Sequence, residues 1–141
     1  MISVLLVSHS NYAIGLKQSA EMIMGKQEAL DTISFKEGET VDALKGKILS
    51  KIKELDTGKG ILVMVDLLGA SPYNASLICS HESNTSNDIK ILTGMNLPMV
   101  IEALSDRTQP KCTLNDLYPK VLKSGINGIH EALSFIEENT K

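Results

Sequence analysis

Two short stretches of this chain are almost wholly apolar: Ile2-Ser3-Val4-Leu5-Leu6-Val7 and Ile61-Leu62-Val63-Met64-Val65. A strand wet on one face alternates apolar and polar side chains. An unbroken apolar run of this length therefore predicts a strand covered on both faces, the usual state inside a parallel sheet. Ala29 to Phe35 and Asp88 to Thr93 alternate more clearly and suit strands nearer the sheet edges.

Helical periodicity fills the intervals. Tyr12, Leu16, Ala20, Ile23 and Met24 share one face, and Gly25 stands where a C-terminal cap belongs. Val41, Leu44, Ile48, Ile52 and Leu55 repeat the pattern, with Lys45, Lys47, Lys51 and Lys53 at other positions. Ser71-Pro72 predicts an N-cap followed by proline at the first helical position, opening a helix to about Ser80. Asn96-Leu97-Pro98 opens a shorter helix through Met99, Ile101 and Leu104. Thr113 with Asp116 resembles a capping box ahead of Leu117, Val121 and Leu122, and Gly125 is expected to stop that helix. Alternating strands and helices predict an α/β fold with a doubly wound, mainly parallel sheet. Right-handed crossovers make 2-1-3-4 its simplest strand order. Ser80 to Asn87 and Ser105 to Lys111 read as loops. Beyond Gly125, the residues Ile126, Ile129, Ala132 and Leu133 fit either a strand or the start of a last helix, around an Asn127-Gly128 turn signal.

Composition narrows the function. The 141 residues suit one domain, 1–141, large enough to bury a core without staples. Fourteen Lys and Arg against seventeen Asp and Glu give a net charge of −3, which argues against a nucleic-acid binder. No apolar run is long enough to span a bilayer, and Ile2 to Val7 is too short for a secretory leader. Cys79 and Cys112 lie in neither a redox nor a zinc spacing, so a reduced, cytoplasmic protein is expected.

In open α/β sheets, ligands bind beyond the carboxyl ends of the strands, where the strand order reverses. With order 2-1-3-4 that crevice lies between the first and third strands. The first ends Val7-Ser8-His9 and the third Val65-Asp66. A carboxylate bonded to one imidazole nitrogen fixes the tautomer and makes the other nitrogen a better nucleophile or base. Taken singly, a histidine at a strand end is commonly a solvated loop residue, and such an aspartate commonly caps the next helix. Their convergence at the switch point makes them a candidate pair. His81 in a polar loop and His130 in the tail have no such partner. Gly69-Ala70-Ser71-Pro72 leads into a helix whose free N–H groups favour an anion, and the Ser71 hydroxyl adds a donor. Ser71 as a plain helix cap is the bland alternative. Thr93-Gly94-Met95-Asn96 ends the fourth strand at the same mouth. Neither nucleotide-binding glycine motif occurs, and no Cys/His cluster suggests zinc. Most of the methionines read as core filling.

These residues carry a resemblance. Val7-Ser8-His9-Ser10 with Ala13 and Gly15-Leu16 resembles the phosphohistidine segment of the mannose-family IIA proteins of the bacterial phosphoenolpyruvate:sugar phosphotransferase system. Val65-Asp66 with Gly69-Ala70-Ser71-Pro72 and Asn74-Ala75 is similar to that family's second motif, and Thr93-Gly94 with Asn96-Leu97-Pro98-Met99 to its third. The match runs in order along essentially the whole chain.

The resemblance implies a phosphocarrier without metal or cofactor. His9 would take a phosphoryl group from HPr and pass it to a IIB protein serving the membrane components IIC and IID. Asp66 would orient the ring and Ser71 would bond the phosphoryl oxygens, with Ser10, Gly69, Ala70 and Thr93 lining the site. Tyr12, Leu67, Leu68 and Tyr73 would offer apolar docking surface. The family usually has Gly after the active histidine, where this chain has Ser10. It also implies a homodimer exchanging a C-terminal antiparallel edge strand, here assigned to Ile126–Leu133. One rival is the phosphocarrier subunit of a phosphoenolpyruvate-dependent dihydroxyacetone kinase, which Ser10 matches better and the second and third motifs match less well. Another is a receiver-like signalling domain phosphorylated on Asp66, which lacks here its acidic pair and its lysine. A regulatory IIA-like domain of a transcription activator would require a second domain.

Overall fold

The computed structural model describes residues 1–83 and 88–140. Ten elements follow in chain order: β1 Ser3–His9, α1 Tyr12–Met24, β2 Leu30–Phe35, α2 Val41–Leu55, β3 Ile61–Val65, α3 Ser71–Glu82, β4 Ile89–Leu92, α4 Leu97–Asp106, α5 Leu114–Asn127 and α6 Ala132–Asn139. The four strands form a parallel sheet in the order β2-β1-β3-β4, as the crossover argument predicts. Register sets Val7 beside both Ile33 and Val65, and His9 beside Phe35.

Every side chain of β3, and all of β1 up to Ser8, is buried. The pleat then sorts alternate residues into two layers. Val4, Leu6, Leu62, Met64 and Leu92 pack under α1, α4 and α5, against Leu16, Ala20, Val100, Leu104 and Leu117. Leu5, Val7, Val63 and Val65 pack under α2 and α3, against Leu44, Ile48, Ile52, Ala75 and Cys79. Each fully buried Leu or Ile contributes about 2 kcal/mol of transfer free energy, so the two layers are what hold the strand ends in place.

At the end of the sheet where the strands begin, one buried side chain gathers four acceptors. Arg107, 4% exposed just after α4, donates from Nη1 to the carbonyls of Ile2 and Ala29, both at 3.0 Å. Its Nη2 donates to the Glu28 carbonyl at 2.6 Å and to Gln27 Oε1 at 3.3 Å. Burial pulls its pKa below the ordinary arginine value, and Glu28 opposes that fall. Ala29, expected inside the second strand, instead has φ +50° and lies one residue before β2.

Several boundaries differ from the sequence reading. Ala70, in extended conformation, is the cap residue of α3, which places Ser71 inside the helix and Pro72 second. The turn closed by the Ala70 N–H on the Leu67 carbonyl, with Gly69 at φ +82°, moves the helix start one residue early. His81 falls within α3 rather than in a loop, and residues 84–87 of the expected loop lie outside the described residues. Gly125 does not stop α5. It is buried where α5 crosses α4, and a Cβ there would sit 2.5 Å from Met99 Cγ. Its smallness permits close packing, and the helix runs on to Asn127.

The antiparallel edge strand expected over Ile126–Leu133 is absent from the fold. Ile126 and Asn127 close α5, Gly128 caps it, and Ala132–Asn139 is helical. The Glu131 carboxylate accepts the backbone N–H groups of Leu133 and Ser134, which nucleates α6 in place of an extended chain. Nothing in α6 is buried. His130, with its ring against the Asn127 carbonyl and the Phe135 ring, is tied to this local turn.

Candidate functional site

His9 ends β1 and Asp66 follows β3, so neighbouring parallel strands deliver both to one end of the sheet. One carboxylate oxygen joins them twice. Asp66 Oδ2 accepts the backbone N–H of His9 at 2.8 Å and lies 2.7 Å from His9 Nδ1. The Asp66 side chain is 14% exposed and that of His9 48%. The other carboxylate oxygen, Oδ1, is buried and has no hydrogen-bond partner among the described residues. An imidazole held through Nδ1 and half open to solvent leaves Nε2 as the nitrogen available for chemistry.

The backbone around His9 is arranged to free it. Ser8, buried beneath it, accepts the Ala13 N–H at 2.8 Å, doing for α1 what its cap residue Asn11 does not do with its side chain. Ser10 has φ +50° and donates its N–H to the Phe35 carbonyl at 2.9 Å. This is the left-handed region, which glycine enters at no steric cost and serine does not. The residue at this position must turn the chain sharply out of the strand, whatever its side chain.

Phe35, the last residue of β2, meets the His9 ring edge to face, with centroids 5.8 Å apart and planes at 72°. The turn after it carries Lys36, Glu37, Gly38 and Glu39, and with His9, Ser10 and Phe35 these line a cavity of about 310 Å³. Glu39 is held by Lys47 at 2.5 Å, and that bond, with support from Lys36, keeps its carboxyl below the usual range. The sequence reading missed this wall. The signal was present, because order 2-1-3-4 puts the end of the second strand beside the end of the first just as surely as the third.

The remaining predicted residues fall into two groups. Gly69, Ala70 and Ser71 form the end of the turn and the first residue of α3, with Leu67 and Leu68 between them and Asp66; the Gly69 carbonyl accepts the Asn74 side-chain amide at 3.1 Å. Pro72 has no N–H, so the first turn leaves the N–H groups of Ser71 and Tyr73 without intrahelical partners. The Ser71 hydroxyl has no hydrogen-bond partner among the described residues. Thr93 lies apart, in a separate cavity of about 230 Å³ with Asn96, Met99, Leu122 and Ile126. Its loop is nevertheless tied to the site, since Met95 donates its N–H to the Val65 carbonyl at 3.1 Å and accepts from the Tyr12 hydroxyl at 2.7 Å. Leu67 and Leu68 are 62% and 68% exposed beside Asp66 and Tyr12 is exposed, whereas Tyr73 packs partly into the core. Among the described residues no group of His, Cys, Asp or Glu could hold a metal ion, and no helix is long and apolar enough to cross a membrane.

Known proteins resemble this chain in sequence and fold. The family model described as the phosphotransferase-system fructose IIA component matches residues 3–121. The chain is 34% identical over 107 residues to a fructose-specific EIIA component of Bacillus subtilis, covering 76% of this chain and 71% of that one. It is 31% identical over 128 residues to the mannose-specific EIIAB component of Escherichia coli strain K12, which covers 91% of this chain but only 38% of that longer protein. Among solved structures, a phosphotransferase system component EIIA from Streptococcus agalactiae superposes with a TM-score of 0.86 at 34% identity, over 95% of this chain and 99% of that one. The family model matched over residues 3–121, the fructose-specific relative at 34% identity and the shared fold place this chain in the mannose- and fructose-type IIA family of the phosphotransferase system.

Proposed function

We propose that this IIA chain is a phosphohistidine carrier, with His9 as the residue that receives and gives up the phosphoryl group. The observation that carries the reading is the double hold of Asp66 Oδ2 on His9, which engages Nδ1 and leaves Nε2 free. With the proton on Nδ1, the lone pair on Nε2 attacks phosphorus in line. The bond from phosphorus to the donor's histidine nitrogen breaks, and the donor ring keeps that electron pair. The His9 ring becomes cationic as the new N–P bond forms, and the Asp66 carboxylate balances that charge. The same steps in reverse hand the group on. Such an exchange between imidazoles needs positioning and electrostatics more than a strong catalyst.

In this reading HPr is the donor and a IIB protein the acceptor, with membrane components IIC and IID receiving the phosphoryl group's benefit downstream. Both soluble partners must reach a half-exposed ring, and Leu67, Leu68 and Tyr12 supply apolar surface at its rim. Ser71, with the free N–H groups of the first turn of α3, would bond the phosphoryl oxygens, while Gly69 and Ala70 let them approach. We place the work in the cytoplasm, by a single carrier domain acting as a homodimer. Ile126, Ile129, Leu133 and Ile136 are more than half exposed on the C-terminal segment, and a second copy would cover them.

The test is phosphorylation by phosphoenolpyruvate, enzyme I and HPr of wild type and His9→Ala. An acid-labile, base-stable label that is lost in His9→Ala supports the reading. A label labile in both acid and base that survives His9→Ala would mean an acyl phosphate and overturn it. A 15 kDa particle in light scattering at micromolar concentration would remove the dimer.

A further inference from the structure

Phosphorylation of His9 brings about two negative charges to a place that already holds one. Asp66 lies beside the ring; its Oδ2 is engaged by the ring and the His9 N–H, and among the described residues its buried second oxygen has no partner. Across the ring, the wall from β2 adds Glu37 and Glu39. Lys47 neutralises Glu39 at 2.5 Å but does not itself line the cavity. Among the described residues, the only cation lining the cavity that contains His9 is Lys36, which is exposed and forms no salt bridge.

The backbone holds Lys36 close to the ring. Sheet register pairs His9 with Phe35, and the Ser10 N–H bonds the Phe35 carbonyl, so Lys36, the residue that follows the end of β2, leaves the sheet beside the His9–Ser10 turn. Neighbouring strands run about 5 Å apart, well within the reach of a lysine side chain. Lys36 is also the first residue of a closed turn. Its carbonyl accepts the Glu39 N–H at 3.0 Å, and Gly38 takes φ +80°, as a tight turn of this type requires. The cation therefore stands on a fixed base.

We infer that Lys36 contacts the phosphoryl group on His9 and offsets its charge, so that this residue sets how readily the site accepts and keeps the group. The inference rests on His9 being the phosphorylated residue. Lys36 contributes charge and takes no proton; the N–P bond chemistry remains that of Nε2.

Phosphoramidate tests this without a protein partner, which separates phosphoryl contact from docking. His9 Nε2 attacks phosphorus, the phosphoramidate P–N bond breaks, and ammonia leaves with its electron pair. Labelling of His9 is followed by mass spectrometry in wild type, Lys36→Ala, Lys36→Arg, Lys36→Glu and His9→Ala. At low salt Lys36→Ala should label about 3- to 10-fold more slowly and Lys36→Glu more slowly still. Lys36→Arg should stay within about twofold of wild type, since it keeps the charge. Near 1 M salt the variants should converge, because the screening length there is about 3 Å. Equal low-salt rates for wild type and Lys36→Ala, with His9 labelled in both, overturn the inference alone. A wild type that takes no label on His9 overturns the carrier reading, and the inference with it.

Discussion

A single oxygen of Asp66 holds both the main chain and the ring of His9: Oδ2 lies 2.8 Å from the backbone nitrogen and 2.7 Å from Nδ1. The carboxylate thus fixes where the residue sits and which way its ring faces in one contact. Asp66→Asn keeps an oxygen for one donor and removes the charge. Phosphoryl transfer to His9 should slow by about 10- to 100-fold, the range seen when an orienting partner of a working histidine is lost. Nitrogen NMR of the ring should show the proton leaving Nδ1 for Nε2 in part of the population. An unchanged transfer rate would take Asp66 out of the mechanism.

Ser10 at φ +50° tests how the loop is held open. A left-handed residue other than glycine costs roughly 1–2 kcal/mol, and glycine gives back roughly 0.5–1 kcal/mol through its freer unfolded chain. Ser10→Gly should therefore raise stability by about 0.5 kcal/mol, the difference between those terms. Ser10→Val, branched at Cβ, should lower it by more than 1 kcal/mol, roughly the left-handed cost or above. Urea unfolding midpoints decide this, and the opposite order of the two variants would contradict it.

Arg107 should matter for stability and leave the chemistry alone. Its four acceptors, the carbonyls of Ile2, Glu28 and Ala29 and the Gln27 side chain, lie where β1 and β2 begin. Arg107→Met removes the donor to the buried Ile2 carbonyl, at about 1–3 kcal/mol, and costs less at Glu28, which is exposed, and at Ala29, whose carbonyl also accepts the Val4 N–H. A loss of about 3 kcal/mol in unfolding free energy is expected, with the rate of His9 labelling unchanged below the unfolding transition. A labelling defect matching the stability defect would show that the two ends of the sheet are coupled.

The capping box of α5 predicts a pH dependence. The Thr113 hydroxyl donates to Asp116 Oδ2 at 2.7 Å and its backbone N–H to the same oxygen at 3.2 Å, which holds the Asp116 carboxyl below its ordinary value. A carboxyl lowered by folding stabilises the fold at pH above its unfolded value, about 3.9. That contribution disappears as the pH falls through the lower, folded value. Thr113→Val should move the Asp116 titration upward in carboxyl NMR and flatten the acid limb of stability below about pH 4. The same Asp116 midpoint in both proteins would refute the assignment.

Much of the architecture is legible in the amino-acid sequence. The unbroken runs of β1 and β3 demanded cover on both faces, and that demand leads directly to parallel pairing and to His9 and Asp66 at neighbouring strand ends. What escaped has physical causes. Ser71 ahead of Pro72 looks like a cap from its residue type, yet the cap is chosen by where the chain turns, and the Gly69 turn places Ala70 there. Gly125 carries a stop signal and a packing signal in the same residue, and only the crossing of α5 over Met99 shows which one operates. Ile126, Ile129 and Leu133 fit two periodicities. The Glu131 carboxylate, bonded to the Leu133 and Ser134 amides, decides for helix, and glutamate is a weak cap signal in a sequence. Phe35 reads as a strand residue from its own segment, but its contact with His9 follows from register, which no single strand contains.

The sheet is fastened at one end by Arg107 and used at the other by His9, with two buried layers between. Any group carried on His9 would change the charge of a strand tip while leaving the packed layers as they were. Donor and acceptor would then have nothing to read in the shape of the core. They would have to recognise the loaded carrier by the cargo itself, and the empty one by its bare nitrogen. Discrimination between the two states would belong to the few side chains around that tip, and it could be retuned there without disturbing the fold.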